Sequence, residues 1–521
     1  MDMSSIEVSA QPPTQGVTPT IRLSDVDDVV IARTQLMSGT VIEAENLTVA
    51  GLIPPGHKIA VRDIAAGSPV RRYGQIIGFA SQAIRRGQHV HVHNLAMGDF
   101  HKDYAFASAR RELPPCQASF DGIVRADGRV ATRNYIGILT TVNCSATVAR
   151  AVADHFRRDI NPAALAGFPQ VDGVVALTHG AGCAVDPKGE SLTVLRRTLA
   201  GYALHANFAA VLVIGLGCET NQIDEWMSHE GLAVGSALQV FTIQAQGGTL
   251  KSIAAGVERV KALLPAANAV TRQPVSARHL VVGLQCGGSD GYSGITANPA
   301  LGSAVDRLVA AGGTAILSET PEIYGAEHLL TRRALNREVG EQLVARVRWW
   351  ETYCDRMDAE LNNNPSAGNK AGGLTTILEK SLGAVAKAGS STLTAVYQYA
   401  QRVTAQGLVF MDTPGYDPVS ATGQVAGGAN LIAFTTGRGS AYGCAPAPSL
   451  KLATNQRVFE QQGDDMDINC GGIADGSTSI EERGAHIFDR MLATASGERS
   501  KSELHGYGQN EFVPWQFGAV M

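Results

Sequence analysis

"HLVVGLQCGGSDGYSGITANP", residues 279–299, decides the fold. Leu280, Val281, Val282 and Leu284 make a short apolar run, the length of one buried strand. The run ends in a lone thiol, Cys286, then two glycines, a carboxylate at Asp290, and an Asn298-Pro299 pair that opens a helix. A strand, a glycine-rich loop and a helix form the repeating unit of a parallel α/β sheet. Such a sheet binds its ligands beyond the carboxyl ends of its strands. A plain turn needs neither the thiol nor so many glycines.

The same pattern recurs. "YIGILTTVNCSA" runs to Cys144, "VVALTHGAGCA" to Cys183 and "VLVIGLGCETNQ" to Cys218, with helix-length segments predicted at 145–158, 189–206 and 250–263. Beyond residue 300 the alternation continues through "GGTAILSE", a long charged helix near 326–361, "GLVFMDTP" and "NLIAFTTG". Ahead of it, "VVIA", "HKIAVRDI", "IIGFAS" and "HVHVHN" are short apolar runs punctuated by Gly and Pro, the mark of a small all-β domain. The chain is therefore α/β: a small N-terminal all-β domain, then a large portion with parallel, Rossmann-like sheets. We divide it into a disordered tail (1–20), the β domain (21–97), a linker carrying Pro114-Pro115 (98–120), a first α/β domain (121–275) and a second (276–521). The last boundary falls in the polar, Pro-bearing "ANAVTRQPVS".

Bulk properties narrow the function. A chain of 521 residues exceeds one core. The net charge of −5, without a long Lys/Arg run, gives no electrostatic case for nucleic acid. Apolar stretches fall short of the ~18 residues of a membrane span. The opening "MDMSSIEVSAQPPTQGVTPT" has no basic region followed by an apolar one. The eight cysteines show no paired spacing, so free thiols and a cytoplasmic location are expected. We expect a small-molecule substrate, no nucleic acid or membrane partner, and a homo-oligomer.

Candidate site residues follow from the strand-end rule. Cys144, Cys183, Cys218 and Cys286 each keep polar company: His179 before Cys183, Glu219 and Asn221 after Cys218, Ser289 and Asp290 after Cys286. Thiolates favour zinc or iron. A free cysteine is also a common small buried residue, and both readings stand. In "QHVHVHN", His89, His91 and His93 recur at period two and would share one strand face, a platform for a divalent metal, with His91 and His93 the favoured pair. His57 in "PPGHKIAVRDI" is a further candidate, and Arg72 with Tyr73 could meet an anionic substrate. "NNNPSAGNKAGG" offers Asn369 and Lys370, and "FTTGRGSAYG" offers Thr435, Thr436 and Arg438, donors suited to a carboxylate or polyol. Neither loop fits the phosphate-loop or dinucleotide patterns, so nucleotide binding is disfavoured.

From about residue 20 onward the chain resembles the altronate/galactarate dehydratase family of sugar-acid hydro-lyases. The resemblance rests on "GHKIA", "RYG", "DGRVATRNYIGIL", "GLGCETNQ", "CGGSDGYSGITANPALG", "NPSAGNKAGG" with "EKSLG", and "TTGRGSAYG". It implies an SAF-type N-terminal β domain and loss of water from an aldonate or aldarate to give a 2-keto-3-deoxy sugar acid. It also implies a divalent metal, foremost Fe2+, with Mn2+ an alternative. "HVHVHN" resembles the altronate branch, whereas "DTPGYDPVSATGQVAGGAN" and the tail "NEFVPWQFGAVM" fit neither branch, which points to a different hexonate or pentonate.

On this reading His57, His91, His93 and Asp290 serve as acid–base or metal-facing groups, and the four thiols with His91 and His93 as metal ligands. Arg72, Ser293, Asn298, Asn369, Lys370, Thr436 and Arg438 hold the substrate. Three rivals stand beside it: an iron–sulfur hydro-lyase using three of the four thiols, a sulfolactate sulfo-lyase-like C–S lyase, and a sugar-acid-binding protein without turnover. The sulfo-lyase usually divides these domains between two chains, so the fused chain argues against it.

Overall fold

The structure is a computed structural model that describes residues 18–98 and 103–517. Most of the tail expected over 1–20, the first part of the linker and the last four residues lie outside the described residues. Among the described residues no helix is long and apolar enough to cross a membrane.

The N-terminal region is all-β. One antiparallel sheet runs in the order β1 (Thr20–Ile21), β2 (Val29–Ala32), β3 (Lys58–Ala60), β4 (His89–Val90). A second joins Pro69–Arg72, Gln75–Ala80 and Leu95–Ala96. The tight hairpin of this second sheet needs two left-handed residues, and Tyr73 (φ 60°) and Gly74 (φ 69°) supply them. The Asp27 carboxylate fixes them by accepting their amides at 3.1 and 2.7 Å. Val30, Ile53 and Ile59 fill the core without exposed surface, each contributing about 1.5–3 kcal/mol.

The alternation in "HVHVHN" predicts a strand through His93, but β4 stops at Val90. Asn94 ends it: its side chain accepts the His91 amide at 2.9 Å and donates to the His89 carbonyl at 2.9 Å. Side-chain bonds of this kind offer the backbone a turn in place of a ladder. Val92 is consequently 49% exposed and marks no buried face.

The linker runs along the second α/β region, with the Ala107, Ala109 and Cys116 amides donating to the carbonyls of Thr331, Arg332 and Ala310. The polar stretch read as a boundary is a strand, Arg272–Ser276, paired with Ser119–Val124. The first α/β sheet has four parallel strands: β5 (Tyr135–Thr140), β6 (Gly173–Leu177), β7 (Phe208–Gly215) and β8 (Leu238–Thr242), in the order β6-β5-β7-β8. Helices α1 (Ala146–Asp154), α2 (Glu190–Ala203), α3 (Ile223–Glu230) and α4 (Thr249–Asn268) follow their strands. The chain reverses direction across the sheet between β5 and β7, its switch point.

The second sheet has seven parallel strands: β9 (Val281–Cys286), β10 (Thr314–Leu317), β11 (Leu393–Tyr397), β12 (Gly407–Met411), β13 (Leu431–Thr436), β14 (Ser449–Ala453) and β15 (Ile468–Asn469). Their order is β11-β12-β10-β9-β13-β14-β15, so the switch point lies between β9 and β13. Around it stand α5 (Ala297–Ala310), α6 (Ala367–Ala371), α7 (Ile377–Val385) and α8 (Asp417–Ala426). The helix expected over 326–361 is broken into Glu327–Thr331 and Arg337–Arg356, the latter capped by Asn336.

Helices α2 and α8 pack side by side. A side chain on Gly201, near the end of α2, would press on the Ala426 carbonyl at the end of α8. Glu190, which opens α2, acts electrostatically on Asp412, just ahead of α8. The two helices run in the same sense, so the strand ends of both sheets open to one side.

Candidate active site

His57 precedes β3, His89 lies on β4 and His91 in the turn that Asn94 imposes. One ring nitrogen from each lies within 4.8 Å of the other two, and His57 Nδ1 stands 3.0 Å from His89 Nε2. Burial lowers His57; burial and the neighbouring imidazoles lower His89 to about 3, and burial and Lys58 lower His91 to about 4. All three are therefore neutral near pH 7, the form that ligates metals. Among the described residues, His91 Nδ1 is buried without a hydrogen-bond partner. A buried orphan lone pair among neutral imidazoles fits a divalent ion. The trio joins His57 and His91 to His89, while His93 is exposed in the turn, its ring centroid 5.5 Å from that of His89.

This platform is pressed onto the second α/β region. His57 Nε2 lies 3.3 Å from the Ala371 carbonyl. Lys58 donates to the Gly373 carbonyl at 2.6 Å and to both oxygens of Glu379 at 2.9 Å. Arg72 spans Glu379 at 2.5 Å and the Gly291 carbonyl at 2.6 Å. Burial opposes ionisation of Glu379, but Lys58 and Arg72 overcome it and hold the carboxyl down at about 2. Arg72 is thus engaged with Glu379 and the loop rather than offered to a substrate. A Cβ at Gly291 would strike the Gly56 carbonyl, so the close approach of the two modules requires glycine there.

The loop after β9 sits at the switch point. Asp290 is buried and its oxygens accept from the Tyr292 amide (3.1 Å), Ser293 Oγ (3.0 Å), Thr454 Oγ1 (3.0 Å) and Asn455 Nδ2 (3.0 Å). Asn298 bridges the Gly383 carbonyl and Thr435 at 2.9 and 2.6 Å. Asn369 donates to the Ser289 carbonyl at 2.8 Å, and Thr436 Oγ1 accepts the Gly439 amide at 3.0 Å. These polar residues build the loops. Lys370 is half-buried and Arg438 exposed, and the hydrogen bonds among the described residues leave both cationic heads uncommitted.

Below this loop lies an ionic cluster at the ends of β9, β10 and β12. Cys286 Sγ is 2.9 Å from Lys387 Nζ and 3.3 Å from Glu322; Lys387 also reaches Glu319 at 3.2 Å, and Lys380 reaches Glu322 at 2.8 Å. Glu319 holds a left-handed backbone (φ 69°), a strain that clusters at functional sites, and its Oε1 has no partner among the described residues. Burial and the Glu322 charge push Glu319 up to about 8 and the partly exposed Asp417 up to about 7. Burial also pushes the Cys286 thiol up. It works against Glu322 as well, yet Lys380 and Lys387 hold that carboxyl down. Carboxyls poised near neutrality beside ammonium groups can exchange protons with a ligand.

Sequence reasoning missed Glu319, Glu322, Asp417, Lys380, Lys387 and the Lys58–Glu379 pair. The signal was available in "ILSETPE", where carboxylates follow a strand as the thiols do elsewhere. The four thiols do not meet at one site, because they belong to two sheets. Cys286 is buried in the second, and Cys144, Cys183 and Cys218 are exposed at the ends of the first.

Fold and site define the class: an α/β protein whose histidine-bearing β module closes on the strand-end loops of a parallel sheet. Three family models match. The altronate/galactarate dehydratase SAF domain covers residues 18–98, the D-galactarate dehydratase/altronate hydrolase second domain 122–268, and the D-galactarate/altronate dehydratase C-terminal domain 277–520. Galactarate dehydratase (L-threo-forming) of Escherichia coli K12 is 38% identical over 95% of this chain and 96% of its own. The altronate dehydratases of E. coli K12 and Bacillus subtilis 168 are 35% and 34% identical, each over 94% of this chain and 97% of their own. The chain belongs to the galactarate/altronate dehydratase family, whose named members are hydro-lyases.

Proposed function

We propose that the chain removes water from an aldonate or aldarate, giving a 2-keto-3-deoxy sugar acid, with a divalent ion, Fe2+ foremost, held by His57, His89 and His91. The observation that carries the metal assignment is the buried Nδ1 of His91, unpartnered among the described residues and set among neutral imidazoles. A divalent ion there would act as Lewis acid toward the substrate's carboxylate and departing hydroxyl.

The protein's own groups supply the rest. Lys370 and Arg438, whose cationic heads are uncommitted among the described residues, can take a carboxylate, Arg in bidentate fashion. Asp417, partly exposed and about half ionised near neutrality, takes the weakly acidic C2 proton. Lys380 and Lys387 offset the negative charge that this abstraction creates. Glu319 keeps its proton up to about pH 8 and stores it for the departing hydroxyl. Helix α7 couples the two halves: consecutive residues Glu379 and Lys380 face the β module and the strand-end cluster respectively.

The test is a panel of aldonates and aldarates with protein purified anaerobically, read as 2-keto acid formed. Turnover with Fe2+ or Mn2+ that stops on chelation supports the reading. Absence of product from every sugar acid would leave a binding protein, and full turnover in excess chelator would remove the metal.

A further inference from the structure

A closed circuit of buried hydrogen bonds starts at Glu319 and returns to its neighbour Ser318 through three other elements. The Glu319 amide donates to Thr413 Oγ1 at 2.9 Å, and Thr413 Oγ1 lies 2.8 Å from Ser420 Oγ. Ser420 Oγ accepts from Gln285 Nε2 at 2.8 Å, and the same amide donates to Gln424 Oε1 at 2.8 Å. Gln424 Nε2 then donates to Ser318 Oγ at 2.9 Å. All six residues are buried. Gln285 precedes Cys286 on β9 and Thr413 follows β12, while Ser420 and Gln424 lie on α8, whose first residue is Asp417.

Such a circuit is costly inside a sheet. Buried amides and hydroxyls give up their hydration, where apolar side chains would fill the same space. Gln285 Oε1 is buried without a partner among the described residues, a further cost. Glu319 adds strain, since φ 69° and ψ 66° form a left-handed backbone that L side chains rarely adopt. Thr413 grips that turn twice: its hydroxyl accepts the Glu319 amide, and its carbonyl accepts the Thr320 amide at 3.0 Å. Strain of this kind persists only where the surroundings over-determine it.

We propose that Thr413 is a positioning residue: through this circuit it holds the left-handed turn that aims the Glu319 carboxyl and fixes it relative to Asp417 at the start of α8. The inference rests on the dehydration reading, in which Glu319 is the acid and Asp417 the base. The two groups stand on different elements and must keep one spacing across the substrate, and a small misplacement of such groups slows a reaction steeply. The Glu319 side chain is itself lightly held, by Lys387 at 3.2 Å and at longer range by Cys286 at 3.9 Å, so its aim depends on its backbone. Ser420 and Gln424 carry the same circuit into the helix that presents Asp417.

The test uses the full chain, with Thr413→Val removing the hydroxyl at constant shape and Thr413→Ser keeping it. Amide hydrogen exchange over residues 318–320 needs no turnover: Thr413→Val should speed it by about 10-fold or more, and Thr413→Ser far less. On the sugar acid that the wild type turns over, Thr413→Val should lower kcat by about 100-fold with KM changed less than about 3-fold, and Thr413→Ser should recover most of that loss. Adding Thr413→Val to Glu319→Gln should cost nothing further, because Thr413 acts through that carboxyl; a merely structural role would add its own loss. Ser420→Ala, one link further along, should show the same pattern at smaller size and serves where Thr413→Val does not fold. Wild-type exchange in Thr413→Val and Ser420→Ala, or additive losses in the double variant, would overturn this proposal alone. Wild-type turnover in Glu319→Gln would refute the acid assignment, and this proposal with it.

Discussion

Lys58 and Glu379 form an ion pair with no exposed side-chain surface, the ammonium 2.9 Å from both carboxylate oxygens across 321 residues of sequence. Lys58 follows His57 and Glu379 precedes Lys380, so this one contact fixes the histidine platform against the strand-end cluster. Breaking a buried pair from one side leaves a bare charge and costs about 3–5 kcal/mol. Glu379→Gln strands both Lys58 and Arg72, and a loss of that size is expected in denaturant unfolding. A change under about 1 kcal/mol would show the network to be dispensable.

The same pair sets an acid limit on stability. The folded carboxyl of Glu379 sits at about 2, below its ordinary value of 4.5. The unfolded chain therefore binds the extra proton in that interval, and stability falls with falling pH there. This contribution is full above about 4.5 and is lost as pH drops toward about 2. The wild type's margin over Glu379→Gln in Tm should shrink across that window; a constant margin would contradict the assignment.

Asp290 was expected among the acid–base or metal-facing groups, but its oxygens accept from protein donors in the loop and in Thr454 and Asn455. Asp290→Asn replaces one of these acceptor oxygens with an NH2 donor that faces other donors. We expect a loss of about 1–3 kcal/mol in stability alongside any loss of turnover. Unchanged Tm with impaired turnover would return Asp290 to the acid–base or metal-facing groups.

Burial and the Glu322 charge push Asp417 up to about 7, so with Asp417 as the proposed base the rate should rise with pH through that value. Asp417→Asn should lower kcat by about 100-fold or more and remove that limb. An unaltered pH–rate profile in the variant would place the base elsewhere.

Parallel strands such as Phe208–Gly215 were legible because burial on both faces leaves a continuous apolar run, with turn residues marking each end. The histidine face was misjudged at its end because one side chain, Asn94, stops the strand, and periodicity does not report side-chain bonds to backbone. The thiols carry one mark in the sequence and two fates in the fold. Which sheet receives a strand is a tertiary choice, and it buries Cys286 beside Lys387 while exposing the other three. Buried charges such as Arg72 and Glu379 read as surface residues until their partners, 307 positions apart, are known.

On the proposed reading, His57, His89 and His91 hold the metal the reaction uses. The most direct measurement is manganese binding to the metal-free chain by paramagnetic resonance, with sugar-acid turnover followed on the same samples. His57→Ala, His89→Ala and His91→Ala should each weaken binding by at least 10-fold and lower kcat by about 100-fold, whereas His93→Ala changes both by less. Wild-type manganese affinity in the His89→Ala and His91→Ala variants would place the metal elsewhere.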